Sequence, residues 1–288
     1  MALITVIIPV YNAEKHLSEA LESLCAQSFS DWECICVNDD SADSSSDILK
    51  DFTTRDARFR VINQSNAGPG AARNRGIEEV RTPWFFFLDA DDTLHPCALE
   101  ALLDAARKNG ADIACAAYIT QKYALSDDGT TVIIDNPTDH MCSSRNWRGT
   151  VWGRLYRTAA CGDVKFPRWK NHEDVAWSTE VFAKISRAVE LTSPLYFYRP
   201  SPNSLSRSPE AESSLPKLWR RQAEICPGLR GRLGELAYAN WKTGSKSIGT
   251  ALLMQLEKER TISLRTLSPS KKIRLLFARF FHRNTQMP

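Results

Sequence analysis

Three carboxylates stand within four positions of the stretch WFFFLDADD, at Asp89, Asp91 and Asp92, directly after an aromatic run. Like charges this close repel, so the arrangement is tolerable only where a cation or hydrogen-bond donors offset them. Oxygen ligands of this kind suit a hard divalent ion, Mg²⁺ or Mn²⁺, shared with phosphate oxygens. The same residues also suit a plainer role, with Asp91 or Asp92 opening the helix that follows Pro96. Two further polar loops, PVYN from Pro9 and NDDS from Asn38, end apolar runs in the same way. In an open α/β sheet such loops gather at the carboxyl ends of the strands, where ligands bind.

Strands and helices must carry those loops. Leu3 to Val10 is a continuous β-branched apolar run, the pattern of a strand buried on both faces. Asn12 is expected to cap a helix whose apolar positions are Leu17, Ala20, Leu21 and Leu24. Further strands are predicted over Trp32–Val37, Arg58–Ile62, Trp84–Leu88 and Asp112–Tyr118. Helices are predicted around Ile48–Phe52, after NQSNAGPGAARNRG, and over Cys97–Asn109. This alternation predicts an α/β fold, with a doubly wound, mostly parallel sheet over residues 1–118. The pattern loosens over 119–150, with short strands or loops around TTVII. WGRLYR, a helical NHEDVAWSTEVFAKI and a strand at LYFYR follow, and from about 209 the patterning is helical.

The segments IIPVYNAEKHLSEALESLCAQSF, VNDDSADSS, NQSNAGPGAARNRGIE and WFFFLDADD, in this order and spacing, resemble the family 2 glycosyltransferases. These are inverting enzymes of the GT-A fold, and the resemblance is dense over residues 3–118. It implies a Rossmann-like sheet flanked by helices, with a helical C-terminal extension. The implied organisation is a nucleotide-sugar-binding half at 1–118, an acceptor-binding half at 119–208 and a helical region at 209–288. By that resemblance Pro9, Val10 and Tyr11 line the uracil side of the pocket, Asp39 bonds the base and Arg73 sits at the nucleotide edge. Asp89 lies near the ribose or donor sugar, and Asp91 binds the metal that bridges the diphosphate. The chain departs from the family at Asn38-Asp39-Asp40, where Asp-Asp-Gly is usual, and the lost glycine puts the turn and the nucleotide preference in question.

Sugar transfer from a nucleotide diphosphate requires a Lewis acid or its equivalent at the leaving group. It also requires a base to take the acceptor hydroxyl's proton. Glu173-Asp174, downstream of WGRLY, resembles the family's E-D motif, which makes Asp174 the general base and places Glu173 and Trp152 toward the acceptor. Asn171 with Asp174 three residues on equally matches a capping box, a purely local stabiliser. His172 reads as a surface or supporting residue. Trp152 and Trp169 could form a sugar-stacking wall, although single tryptophans more often belong to a core. YFYRPSPNSLSRS resembles the family segment in which Arg199, Ser204 and Arg207 could reach the diphosphate, and arginine suits bidentate phosphate contacts.

Composition is that of an ordinary globular chain of 288 residues, 43% hydrophobic with a net charge of +3. That charge is too mild to announce nucleic-acid binding, and no recognised nucleic-acid module accompanies the basic residues. Eight cysteines without a C-x-x-C pair, mostly inside apolar runs, give no zinc or disulfide framework and predict reduced thiols. MALITVIIPVYN lacks the pattern of a secretory signal, so the cytoplasm is the expected location. Near the end, SPSKKIRLLFARFFHR sets Ile273, Leu276, Phe277 and Phe280 on one helical face, flanked by lysine and arginine. Such a segment, 270–283, either lies on an anionic membrane at the cytoplasmic face or docks on the domain.

The function these readings imply is a metal-dependent inverting glycosyltransferase of hexosyltransferase type. It takes a sugar from a nucleotide-sugar, a UDP-sugar by the resemblance, to a glycan or lipid-linked glycan in lipopolysaccharide, O-antigen or capsule synthesis. Two rivals use similar parts. A sugar nucleotidyltransferase needs a Gly-rich loop after the first strand, which PVYNAEKH lacks. A non-catalytic glycan-binding or membrane-associated protein would have lost turnover.

Overall fold

ITVIIPV forms β1 (Ile4–Val10), buried along nearly its whole length, as a central parallel strand requires. The computed structural model describes residues 2–120, 129–143, 149–201, 209–242, 250–272 and 274–275. After β1 come α1 (Leu17–Cys25), β2 (Trp32–Asp39), α2 (Ser45–Arg55), β3 (Phe59–Gln64), α3 (Pro69–Glu78) and β4 (Trp84–Phe87). Next are the two-residue β5 (Thr93–Leu94), α4 (Ala98–Lys108), β6 (Ile113–Ile119), β7 (Thr131–Ile134) and α5 (Pro137–Ser143). Then follow β8 (Arg154–Arg157), a helical turn α6 (Thr158–Cys161), α7 (Glu173–Lys184) and β9 (Ala188–Phe197).

The strands form one sheet in the order β3-β2-β1-β4-β8-β6-β9-β5, with β7 also paired to β9. β3, β2, β1 and β4 are mutually parallel, as the alternating pattern predicts. β6 does not join β4 directly. β8, from much later in the chain, inserts antiparallel between them, and β9 then runs parallel to β6. Residues following β1, β2, β4, β6 and β9 therefore leave the sheet at one edge.

The aromatic run of β4 divides between the two faces by strand alternation. Phe85 and Phe87 meet Tyr156, Phe87 meets Phe166, and both meet Trp177 of α7, with centroids 5.1–6.5 Å apart. Phe166 stacks on Trp177 at 4.8 Å. Phe86 packs on the opposite face with Leu21, Leu24, Leu99 and Tyr196. The tripled phenylalanine thus anchors α7 on one side and the α1/α4 layer on the other, with the Asp loop emerging between them.

A close approach positions α3. A Cβ at Gly76 would lie 2.4 Å from Ile7 Cγ2, so only glycine lets the helix settle on β1.

The helix after PVYN differs from expectation. Asn12 is not its cap: α1 begins at Leu17 after His16, and Asn12 takes a left-handed backbone (φ 48°). Its four expected apolar positions are all buried.

The chain divides into two compact units, Met1–Pro137 with Gly149–Pro202, and Thr138–Arg148 with Asn203–Pro288. The second contains α8 (Pro209–Ile225), α9 (Arg230–Lys242) and α10 (Thr250–Lys258), around buried Leu218, Trp219, Leu233 and Leu253. Of the basic segment 270–283, only 270–272 and 274–275 fall within the described residues. No helix among the described residues is long and apolar enough to cross a membrane.

Candidate active site

The loops after β1 and β2 lock together. Asn12 Oδ1 accepts the Ala42 N–H at 2.8 Å, and Ser41 Oγ accepts the Asn12 N–H at 3.1 Å. Ser45 Oγ and Asp43 Oδ2 accept the N–H groups of Ala13 and Glu14. Pro9 and Tyr11 reach this edge, and Tyr11 is 56% exposed. Val10, expected to line the pocket, has its side chain buried in the core at 1% exposure and offers only backbone there.

Asp39 accepts from Gln64 Nε2 (2.7 Å) and from the N–H groups of Ala67 (2.9 Å) and Gly68 (2.8 Å). It therefore pins the glycine-rich turn that opens α3. A carboxylate offers about four acceptor sites, so one remains for a ligand N–H. Asp40, standing where the resembling family has glycine, adopts φ 65°. The turn keeps its left-handed residue without the glycine, since aspartate tolerates this region better than most side chains. Asp40→Val is expected to lower stability by about 1–2 kcal/mol, the cost of forcing a bulky residue left-handed. Asp40→Gly is expected to escape that loss, and denaturant midpoints of the two variants check the difference.

Arg73 joins the two halves of the motif set. It is 6% exposed and donates to Asp89 Oδ1 at 2.8 Å and Glu173 Oε1 at 3.2 Å. Burial works against its charge, yet Asp89 and Glu173 hold its pKa above the ordinary arginine value. Asn74 clamps the backbone of Phe166, giving Nδ2–H to its carbonyl (3.0 Å) and accepting its N–H at Oδ1 (2.8 Å). The A-R-N-x-G segment thus fixes α3 against β1 and against the chain that enters α7. Asn74 escaped the sequence reading, although it lies inside the motif that supplied Arg73.

The capping-box reading of Asn171 fails. His172 occupies the cap position with φ 61° and no side-chain cap bond, and Asn171 Oδ1 is buried without a hydrogen bond. Glu173, expected toward the acceptor, is buried against Arg73. Burial, with Asp174 beside it, pushes the Glu173 carboxyl up to about 7. Asp174 remains half-buried and accepts the Val175 N–H at 2.7 Å. Burial, with Asp89 adding, raises its pKa above the usual aspartate range.

In the Asp loop, the three carboxylates part company. Asp89 and Asp91 are half-exposed, whereas Asp92 is fully buried. Asp92 accepts the Tyr196 hydroxyl (2.6 Å) and the Arg199 N–H (2.8 Å), and burial together with Asp89 pushes it up to about 8. Burial and then Asp89 also raise Asp91. No group of three or more His, Cys, Asp or Glu among the described residues would hold a metal unaided. A hard cation that takes one or two carboxylates and completes its shell with phosphate and water fits this set. Its charge would relieve the repulsion between Asp89 and Asp91.

Arg199 comes to the same loop, giving Nε–H to the Asp91 carbonyl (2.9 Å) and an Nη2–H to Glu19 (2.6 Å). Trp152 stacks with Tyr196 and Tyr198 at 4.7 and 5.2 Å, and Trp169 is half-buried before α7. Ser204 and Arg207 lie outside the described residues.

A family model described as Glycosyl transferase family 2 matches residues 5–160, more than half of the chain, with Asp39, Arg73, Asp89 and Asp91 inside the match and Glu173, Asp174 and Arg199 beyond it. The chain belongs to glycosyltransferase family 2. This family 2 chain is 33% identical to the uncharacterised glycosyltransferase EpsJ of Bacillus subtilis over 227 residues, 72% of the chain and 64% of EpsJ. It therefore spans somewhat less than two thirds of that relative. Among solved structures it resembles Staphylococcus aureus TarS 1-349 in complex with UDP (TM-score 0.68, 21% identity, 90% of this chain and 77% of that one). It also resembles Mycobacterium tuberculosis glucosyl-3-phosphoglycerate synthase in complex with Mn²⁺, UDP and glucosyl-3-phosphoglycerate (TM-score 0.57, 14% identity, 78% and 80%). These likenesses establish the GT-A fold.

Proposed function

We propose that the chain is a metal-dependent, inverting glycosyltransferase that moves one sugar from a UDP-sugar to a hydroxyl of a glycan or lipid-linked glycan. The observation that carries this reading is the Asp89–Arg73–Glu173 bridge. It brings the D-x-D loop and the E-D motif, 84 residues apart (173 − 89), to one sheet edge. Family membership sets the sugar nucleotidyltransferase aside, and UDP in two solved relatives of the fold supports the donor class.

Tyr11 and the remaining acceptor site of Asp39 receive the base, and Asp89 faces the ribose or donor sugar. Asp91 holds the divalent ion, Mn²⁺ or Mg²⁺. When bound, such an ion supplies Lewis-acid stabilisation to the departing diphosphate. Arg73 keeps Asp89 in place and ties α7 to the donor side, which fixes where Asp174 stands. Asp174 takes the proton of the acceptor hydroxyl as that oxygen attacks the anomeric carbon from the face opposite the diphosphate. Trp152 and Tyr198, both partly exposed, offer an aromatic surface to the acceptor sugar. In this reading residues 1–118 serve the donor, 119–208 the acceptor, and 209–288 an accessory helical role. A place in surface polysaccharide assembly, with 270–283 on the cytoplasmic membrane face, rests on the resemblance and on the amphipathic sequence.

Asp91→Asn is expected to abolish metal-dependent UDP binding and turnover. Calorimetric titration of UDP with Mn²⁺ and with chelator reads this directly, and turnover by the variant in chelator would refute the metal's role.

A further inference from the structure

The loop carrying Asp89 and Asp91 is held by more contacts than ligand binding explains, and they come from the end of β9. Tyr196 is 1% exposed; its hydroxyl donates to Asp92 Oδ2 at 2.6 Å and accepts the Asp89 N–H at 3.3 Å. Arg199 gives its own N–H to Asp92 Oδ1 at 2.8 Å and Nε–H to the Asp91 carbonyl at 2.9 Å. Glu19 of α1 takes the guanidinium's Nη2–H at 2.6 Å. The side chains of Tyr196 and Arg199 thus grip the backbone of both D-x-D aspartates, through an N–H in one case and a carbonyl in the other. An arginine beside three carboxylates directs these bonds to a main-chain oxygen and to Glu19, which leaves the Asp91 carboxylate for a ligand.

We propose that Tyr196 and Arg199, with Asp92 and Glu19 as their anchors, are positioning residues that set the D-x-D loop for the metal–nucleotide. The proposal rests on the nucleotide-sugar reading above. It moves Arg199 from a diphosphate contact to a brace. Attachment of the loop to the sheet does not need the Tyr196 hydroxyl, because Thr93 and Leu94 also pair with Phe197 and Tyr196 through the backbone. Nor does packing need it: the ring itself stacks with Trp152 at 4.7 Å and meets Phe86 at 6.4 Å. What the hydroxyl adds is orientation, and groups that orient ligand carboxylates govern metal affinity about 10–100-fold.

The test is calorimetric titration of UDP into wild type, Tyr196→Phe and Glu19→Gln, each with Mn²⁺ and with chelator, beside thermal midpoints. Tyr196→Phe is expected to weaken UDP binding about tenfold or more with Mn²⁺. In chelator its affinity should match wild type, and its midpoint should fall by about 4–8 °C, the scale of two lost hydrogen bonds. Glu19→Gln alters a partly exposed side chain and should give a smaller loss in the same direction. Unchanged Mn²⁺-dependent affinity in Tyr196→Phe overturns the proposal, as does an equal loss with and without metal. Should Tyr196→Phe fail to fold, unchanged affinity in Glu19→Gln overturns it instead. Absence of metal-dependent UDP binding in wild type sinks the nucleotide reading and the brace with it, a result distinct from loss in the variants alone.

Discussion

Asp174→Asn is expected to lose sugar transfer by about 10²-fold or more, the usual scale for a general base, while binding UDP with Mn²⁺ as wild type does. Asparagine keeps the shape and the oxygen that accepts the Val175 N–H, so α7 should begin unchanged. What it removes is the ability to take a proton. A second role competes for this residue, because an acidic side chain in a helix's first turn favours the macrodipole by about 0.3–1 kcal/mol. That role predicts a small drop in stability and normal turnover. The pH profile separates the two further. A base works only when deprotonated, so transfer should rise with pH along a limb set by the Asp174 carboxyl. Burial, reinforced by Asp89, lifts that limb above the ordinary aspartate range.

Arg73→Met should destabilise the fold by about 3–5 kcal/mol, the scale of stranding buried charge by removing its partner. Its guanidinium is the cation common to Asp89 and Glu173, and the Arg73 and Glu173 side chains are 7% and 8% exposed. The loss should depend on pH in a defined direction. Burial already holds the Glu173 carboxyl at about 7 against an ordinary 4.5, so the folded state keeps this proton longer than the unfolded chain. Protonating it therefore stabilises the fold as pH falls from about 7 toward 4.5, and without Arg73 the effect should grow. Denaturant unfolding at pH 5 and pH 8 should accordingly show the larger deficit at pH 8. Adding Glu173→Gln to Arg73→Met should recover part of it, and additivity of the two changes would mean the bridge carries no coupling.

Local pattern made much of this legible. ITVIIPV, WECICV and WFFF are runs that only a sheet interior accommodates, and the aspartates and the Glu173-Asp174 pair sit in short stretches whose chemistry is plain. Pairings across long separations left no such trace. Arg73 meets Glu173 100 positions away, and Tyr196 meets Asp92 104 away. Nothing in LYFYR distinguishes a tyrosine that bonds an aspartate from one that merely packs. The insertion of β8 between β4 and β6 is likewise invisible to alternation, which ranks strands by chain order. Asn12 misled because asparagine suits both a helix cap and a left-handed turn, and the NDDS loop decided between them.

Transfer at this edge of the sheet should invert the anomeric centre, and proton NMR of the anomeric region reads that outcome. Wild-type protein, Mn²⁺ and a panel of α-linked UDP-sugars would be followed from the first turnover, with Asp174→Asn in parallel. UDP release with a β-configured first product is expected, stopped by chelator and by the substitution. A first product of retained α configuration, or equal turnover by Asp174→Asn, would contradict it.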